Sequence, residues 1–202
     1  MSAPASARVP FVGLTGGLGA GKSTALAALG ELGAATLSTD AVVHDLLATG
    51  ELREQIVERL GPGVVRDNTV DRAAVAGRVF DSPEDRKWLE GLLWPRVGER
   101  VASWRAEIDA ADPPPRAAVV EVPLLFEAGM EAGFDHTIAV SAGEPLRAER
   151  AGSRGHAAVE ERTGRQLTQE EKAQRADFAV RNDGTLEELK SELSRVLSTM
   201  NP

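Results

Sequence analysis

The stretch FVGLTGGLGAGKST, Phe11 to Thr24, constrains the fold more than any other part of the chain. A short apolar run breaks into glycines at 16, 17, 19 and 21, and Lys22, Ser23 and Thr24 follow. Glycine inside an ordered element costs about 0.5–1 kcal/mol relative to alanine, so such a cluster implies that something must approach the backbone closely. Gly16, Gly21, Lys22 and Ser23 satisfy the pattern G-x-x-x-x-G-K-[ST] without a mismatch. A loop of this kind turns successive backbone N–H groups inward as a nest for phosphate oxygens. The helix behind it offers unpaired N–H groups and a positive dipole end to the same anion.

The spacing around the loop predicts a strand over FVGLT, then a helix from about Lys22 to Leu32 with Ala25, Leu29 and Leu32 on one face. Gly33 is the expected stop. A second strand follows in AATLSTD, which completes a βαβ unit and implies a parallel sheet. Asp40 then falls just past the C-terminal end of that strand, the edge where open α/β sheets bind ligands. Between about His44 and Asp112 the pattern turns helical, with no clear strand, and ends at the stiff run ADPPPR. Within it Ser82 suits an N-cap, Pro83 the first helical position, and Pro95 a kink. Two more buried strands are expected in AAVVEVPLL and HTIAV. Arginines gather at 147, 150, 154, 162 and 165, and an amphipathic helix carries Leu186, Leu189, Leu193 and Leu197. The expected fold is therefore α/β: a three-layer P-loop domain over 1–202, with a parallel sheet flanked by helices, a helical insertion at about 44–112 and a lid at about 146–166.

Composition narrows the function. A chain of 202 residues with 42% hydrophobic and 27% charged residues is the size of one domain with an insertion. No apolar run approaches the length of a membrane span, and the first ten residues lack the apolar core of a signal peptide. The absence of cysteine excludes disulfides and thiolate metal sites and suits a cytoplasmic location. A net charge of −8 argues against general nucleic-acid binding. A monomer or weak oligomer is expected.

The glycine loop predicts a nucleoside triphosphate, bound by Gly16, Gly17, Gly19, Ala20, Gly21, Lys22, Ser23 and Thr24. Lys22 would reach the β- and γ-phosphates and the Ser23 hydroxyl would ligate Mg²⁺. The guanine-reading N-K-x-D and the switch D-x-x-G of GTPases are both missing. A small-molecule kinase needs a carboxylate near the γ-phosphate, a pocket for the acceptor, and cationic groups for the transferring phosphoryl. Asp40, the helical insertion and the arginine cluster are the candidates. Asp40 also suits the N-cap of the helix AVVHDLL, and the arginines also suit a solvated helix face. A kinase for another small acceptor, such as a nucleoside monophosphate or a small alcohol, and a nucleotide-binding switch without an acceptor are the alternatives.

In ordered pieces the chain resembles the dephospho-CoA kinase family: GLTGGLGAGKST, STDAVVHDLL, VDRAAVAGRVF, LEGLLWPRV, EVPLLFEAGM and RADFAVRNDGTLEEL. The resemblance implies ATP-dependent phosphorylation of the ribose 3′-hydroxyl of dephospho-CoA. It implies that Asp40 is the general base, that Arg150 and Arg154 belong to a lid over ATP, and that Asn182 lies near the adenine. It also implies that the helical insertion binds the CoA portion, with His44, Leu124 and Leu125 taking part. Three departures stand out. Ser38-Thr39-Asp40 replaces the family's frequent Asp-Ala-Asp, Trp94-Pro95 replaces His-Pro, and the stretch after Arg154 is shortened.

Overall fold

The computed structural model describes residues 8–80, 82–152 and 166–200. They form two compact units, the first from the chain up to Ser38 together with Arg105 onward, the second Thr39–Trp104. The second unit, Thr39–Trp104, overlaps most of the expected insertion at about 44–112.

The first unit is a five-stranded sheet of β1 (Phe11–Gly16), β2 (Ala35–Ser38), β5 (Ala118–Glu121), β6 (His136–Ser141) and β7 (Phe178–Arg181) in the order β2-β5-β1-β6-β7. Every pairing is parallel, as the βαβ reading requires. β1 lies in the middle, with Leu14 opposite Glu121 on one side and Ile138 on the other. Buried on both faces, β5 reads as the unbroken apolar run AVV rather than as an alternation. β7 escaped the sequence reading, because FAVR is short and lies between polar residues.

Alternate residues divide the two faces of the sheet. Val12 and Leu14 pack with Ala25, Ala28 and Leu29 of α1 (Lys22–Glu31) and with Leu189, Leu193 and Leu197 of α8 (Leu186–Met200). On the opposite face Gly13 is closely approached by Leu125 and Phe134, and Phe134 stacks on Phe11 at 4.6 Å. α1 ends at Gly33, whose φ is +93°. Gly33 N donates to Gly30 O and Ala34 N to Leu29 O, the paired bonds of a Schellman motif. α7 (Gln169–Arg175) starts from a capping box, Thr168 with Glu171, so its first turn is fixed by its own sequence. Asp177 locks β6 to the chain entering β7: its carboxylate accepts from Thr137 N and Oγ1, each at 2.8 Å.

The second unit is mostly helical. Its core joins Leu47 of α2 (Thr39–Leu47), Leu52, Ile56 and Leu60 of α3 (Gly50–Leu60), Val75 of α4 (Arg72–Phe80) and Leu93 of α5 (Pro83–Asp109). Contrary to the sequence reading, it contains strands: β3 (Val65–Arg66) and β4 (Thr69–Val70) form an antiparallel hairpin. Two-residue strands leave no periodic pattern to detect. The turn residues Asp67 and Asn68, at φ +50° and +62°, are the signal that was present. The expected N-cap of α5 is observed, with Asp85 N donating to Ser82 Oγ at 3.2 Å. Pro95 lies inside α5 without ending it.

Candidate active site

β1 delivers the glycine loop at the C-terminal edge of the sheet, beside its central position. The loop's shape depends on side chains that hold its carbonyls from outside. Arg147 of α6 (Glu144–Gly152) donates from Nε to Leu18 O at 2.9 Å, and Asn182 donates from Nδ2 to Ala20 O at 2.9 Å. In a trans peptide the carbonyl and the next N–H point in opposite directions. Fixing these two oxygens therefore aims the N–H groups of Gly19 and Gly21 to the other side of the loop. Gly19 and Gly21 have φ of +72° and +92°, and a Cβ at Gly21 would collide with the Asn182 amide. Lys22 folds back over the loop, its Nζ bonding the carbonyls of Gly16 and Gly17 at 3.1 Å each. Ser23 and Thr24 open α1 and are exposed.

A pocket of about 260 Å³ adjoins the loop, lined in part by Gly21, Thr24, Arg150, Asn182, Gly184 and Leu186. Asn182 is buried, and its backbone is held on both sides: its N donates to Ser141 O at 2.8 Å, and its O accepts from Arg150 Nη1 at 3.2 Å. With Nδ2 committed to Ala20, the side-chain oxygen Oδ1 remains the amide's acceptor. Next to it, the Asp183 carboxyl is held below its ordinary value, first by its hydrogen bond from Arg181 and then by Gly143 N. Leu186, expected in the apolar stripe of α8, is instead 43% exposed and lines this pocket.

The structure thus gathers Gly16, Gly17, Gly19, Ala20, Gly21, Lys22, Ser23, Thr24, Arg150 and Asn182 into one unit. Leu124 and Leu125 belong to the same unit, in the turn after β5. Leu124 is 41% exposed, whereas the Leu125 side chain is fully buried and out of a ligand's reach. Asp40 and His44 belong to the second unit. Both are exposed on α2, which begins at Thr39 directly after β2. Asp40 therefore lies within the first helical turn rather than at the cap, where a carboxylate gains from the helix dipole. Arg154, Arg162 and Arg165 lie outside the described residues.

Sequence reasoning missed four contributors. Arg147 was read only as part of a basic cluster. Gln169 packs on Gly17 and holds the Ala142 backbone through both ends of its amide, at 3.1 and 2.8 Å. Glu121 is a buried carboxyl at the C-terminal end of β5, in register with Leu14 and Ser38. Thr15 donates from Oγ1 to Pro123 O at 3.1 Å. Besides the arginine cluster that includes Arg147, Glu121 had a visible signal, an acid closing a buried strand.

A family model described as dephospho-CoA kinase matches residues 10–188. A dephospho-CoA kinase of Deinococcus radiodurans is 39% identical over 199 residues, covering 96% of this chain and 95% of that protein. Among solved structures, a Thermus thermophilus protein superposes with a TM-score of 0.77 at 33% identity, covering 97% of this chain and 100% of the other. The dephospho-CoA kinase of Campylobacter jejuni has the same fold, with a TM-score of 0.66 at 24% identity over 94% of this chain and 96% of its own.

Proposed function

The chain belongs to the dephospho-CoA kinase family, so its reaction is ATP-dependent phosphorylation of dephospho-CoA to coenzyme A, and we propose how its residues divide that work. The observation that carries the proposal is the glycine loop, with its carbonyls held outward by Arg147 and Asn182. Amides preset in this way favour the triphosphate without reorganising when it arrives.

Gly16, Gly17, Gly19, Ala20 and Gly21 cradle the phosphates from the backbone, and Thr24 and Asn182 border the nucleoside end. Lys22, held by two loop carbonyls in this structure, exchanges them for the β- and γ-phosphate oxygens. Arg150, and Arg154 by the family resemblance, offset charge that spreads over the transferring phosphoryl group. Asp40 orients the 3′-hydroxyl and accepts its proton. His44 and Leu124 contact the acceptor, and Leu125 supports that contact from the core.

Mg²⁺ fits the donor set. It needs only one or two protein oxygens, because phosphate and water supply the rest, and the Ser23 hydroxyl is a hard, exposed oxygen at the start of α1. Held at the Ser23 hydroxyl, it would supply positive charge that offsets the triphosphate. No helix among the described residues is long and apolar enough to cross a membrane. A cytoplasmic location and a monomer or weak oligomer are our reading.

An acceptor panel tests the proposal. Purified protein with ATP should form ADP rapidly with dephospho-CoA and not with AMP or shikimate. Asp40→Asn should lower kcat by about 10²–10⁴-fold while ATP still binds. Equal turnover in that variant would remove Asp40 from the chemistry, and preference for another acceptor would overturn the substrate.

A further inference from the structure

Lys172 is the only buried lysine among the described residues, at 1% exposure, and nothing in the phosphoryl-transfer scheme uses it. Its Nζ donates to Pro123 O at 2.6 Å and pairs with Glu127 Oε1 at 2.9 Å. The same carboxylate oxygen accepts from Leu167 N at 3.0 Å. Pro123 O also receives the Thr15 hydroxyl. Three pieces of chain therefore meet at one ammonium. They are the end of β1 just before the glycine loop, the turn 123–129 that carries Leu124, and the chain entering α7 just beyond the expected lid.

A buried ion pair is a poor source of stability, because desolvation offsets its attraction and apolar residues of similar volume often do as well or better. Leu125 and Phe126 beside it are buried, so the surroundings suit an apolar pair. What an apolar pair could not supply is a donor to the Pro123 carbonyl from α7. Within the turn, Ala128 N bonds Leu124 O and Met130 N bonds Leu125 O, each at 3.0 Å, so anchoring its first carbonyl anchors the whole bend.

We propose that Lys172 is a positioning residue for the acceptor: it sets the 123–129 turn, and hence Leu124, from α7. This rests on the reading that the turn faces dephospho-CoA. The test compares wild type, Lys172→Met and the double variant Lys172→Met/Glu127→Leu. Lys172→Met should raise the KM for dephospho-CoA about tenfold or more while the KM for ATP stays within about twofold. Amide exchange over 124–130, measured without substrates, should accelerate. The double variant should regain the wild-type melting midpoint yet keep both defects. Recovery of KM and exchange together with stability would show that the pair only supports the fold, and would overturn the proposal. If Lys172→Met does not fold, the double variant carries the comparison alone. Absence of dephospho-CoA turnover in wild type would sink the substrate reading, and exchange in the double variant would still decide whether Lys172 sets the turn.

Discussion

Glycine is plentiful in both units, and it does different work in each. Around the phosphate loop, the space a Cβ would need is already filled. The Val140 carbonyl occupies it at Gly16, the Arg147 carbonyl at Gly19 (2.6 Å from the added carbon) and the Asn182 amide at Gly21. In the helical unit, Gly61, Gly63, Gly77, Gly91 and Gly98 have no such neighbour within 4 Å. The first set is dictated by close approach of other chain segments. In the second set Gly61 is required only by its own left-handed backbone, at φ +87°, and the other four are tolerated. Glycine count alone therefore says little about where a ligand sits, whereas glycine against occupied space does.

The largest expected effect breaks this contrast at the loop. Gly19→Ala combines a left-handed backbone, which costs about 1–2 kcal/mol for a residue with a side chain, with displacement of the Arg147 backbone. The KM for ATP should rise on the order of a hundredfold, which steady-state kinetics would show. A variant with wild-type KM would mean that the loop reshapes freely and that its glycines are as dispensable as those of the helices.

The opposite result is expected in the second unit. Gly77 of α4 and Gly91 and Gly98 of α5 are exposed and helical, so alanine there should stabilise by up to about 1 kcal/mol each, read as a raised denaturation midpoint. The KM for ATP should not move. A loss of stability would reveal a packing role that the open space around them does not suggest.

The smallest effect concerns charge at the start of α5. Arg59 bonds both Glu84 and Asp85, and its cation sits 6.0 Å from the Trp88 ring. The Asp85 carboxyl is held below its ordinary value of 3.8, chiefly by the Arg59 hydrogen bond and then by Ser82. A depressed folded value means the contribution is complete above the ordinary value and is lost as pH falls through the folded one. Asp85→Asn should thus lower the melting midpoint slightly at about pH 7, and the difference should shrink progressively as pH falls below the ordinary carboxyl value, the pair being exposed. A difference that persists in acid would assign the effect to packing.

Much of the first unit was legible because its constraints are local. The glycine pattern, the apolar strands and the Gly33 stop each sit within a few residues, and β1, α1, β2, β5 and β6 all followed from them. The nucleotide side of the candidate site was legible for the same reason. The supporting shell was not. Arg147 reaches Leu18, Asn182 reaches Ala20 and Lys172 reaches Pro123 across long sequence separations, and no periodicity records such pairings. The β3–β4 hairpin was lost to its shortness, and Leu186 to a helical stripe that the pocket interrupts. Apart from the hairpin, tertiary contact rather than propensity decided each of these.

The strand that ends in the phosphate loop has a hydrogen-bonded neighbour on each edge, so it cannot peel away alone. Grip on the triphosphate tail and integrity of the whole sheet therefore stand or fall together. A bound nucleotide should register as resistance to global opening, shared by strands that never touch it.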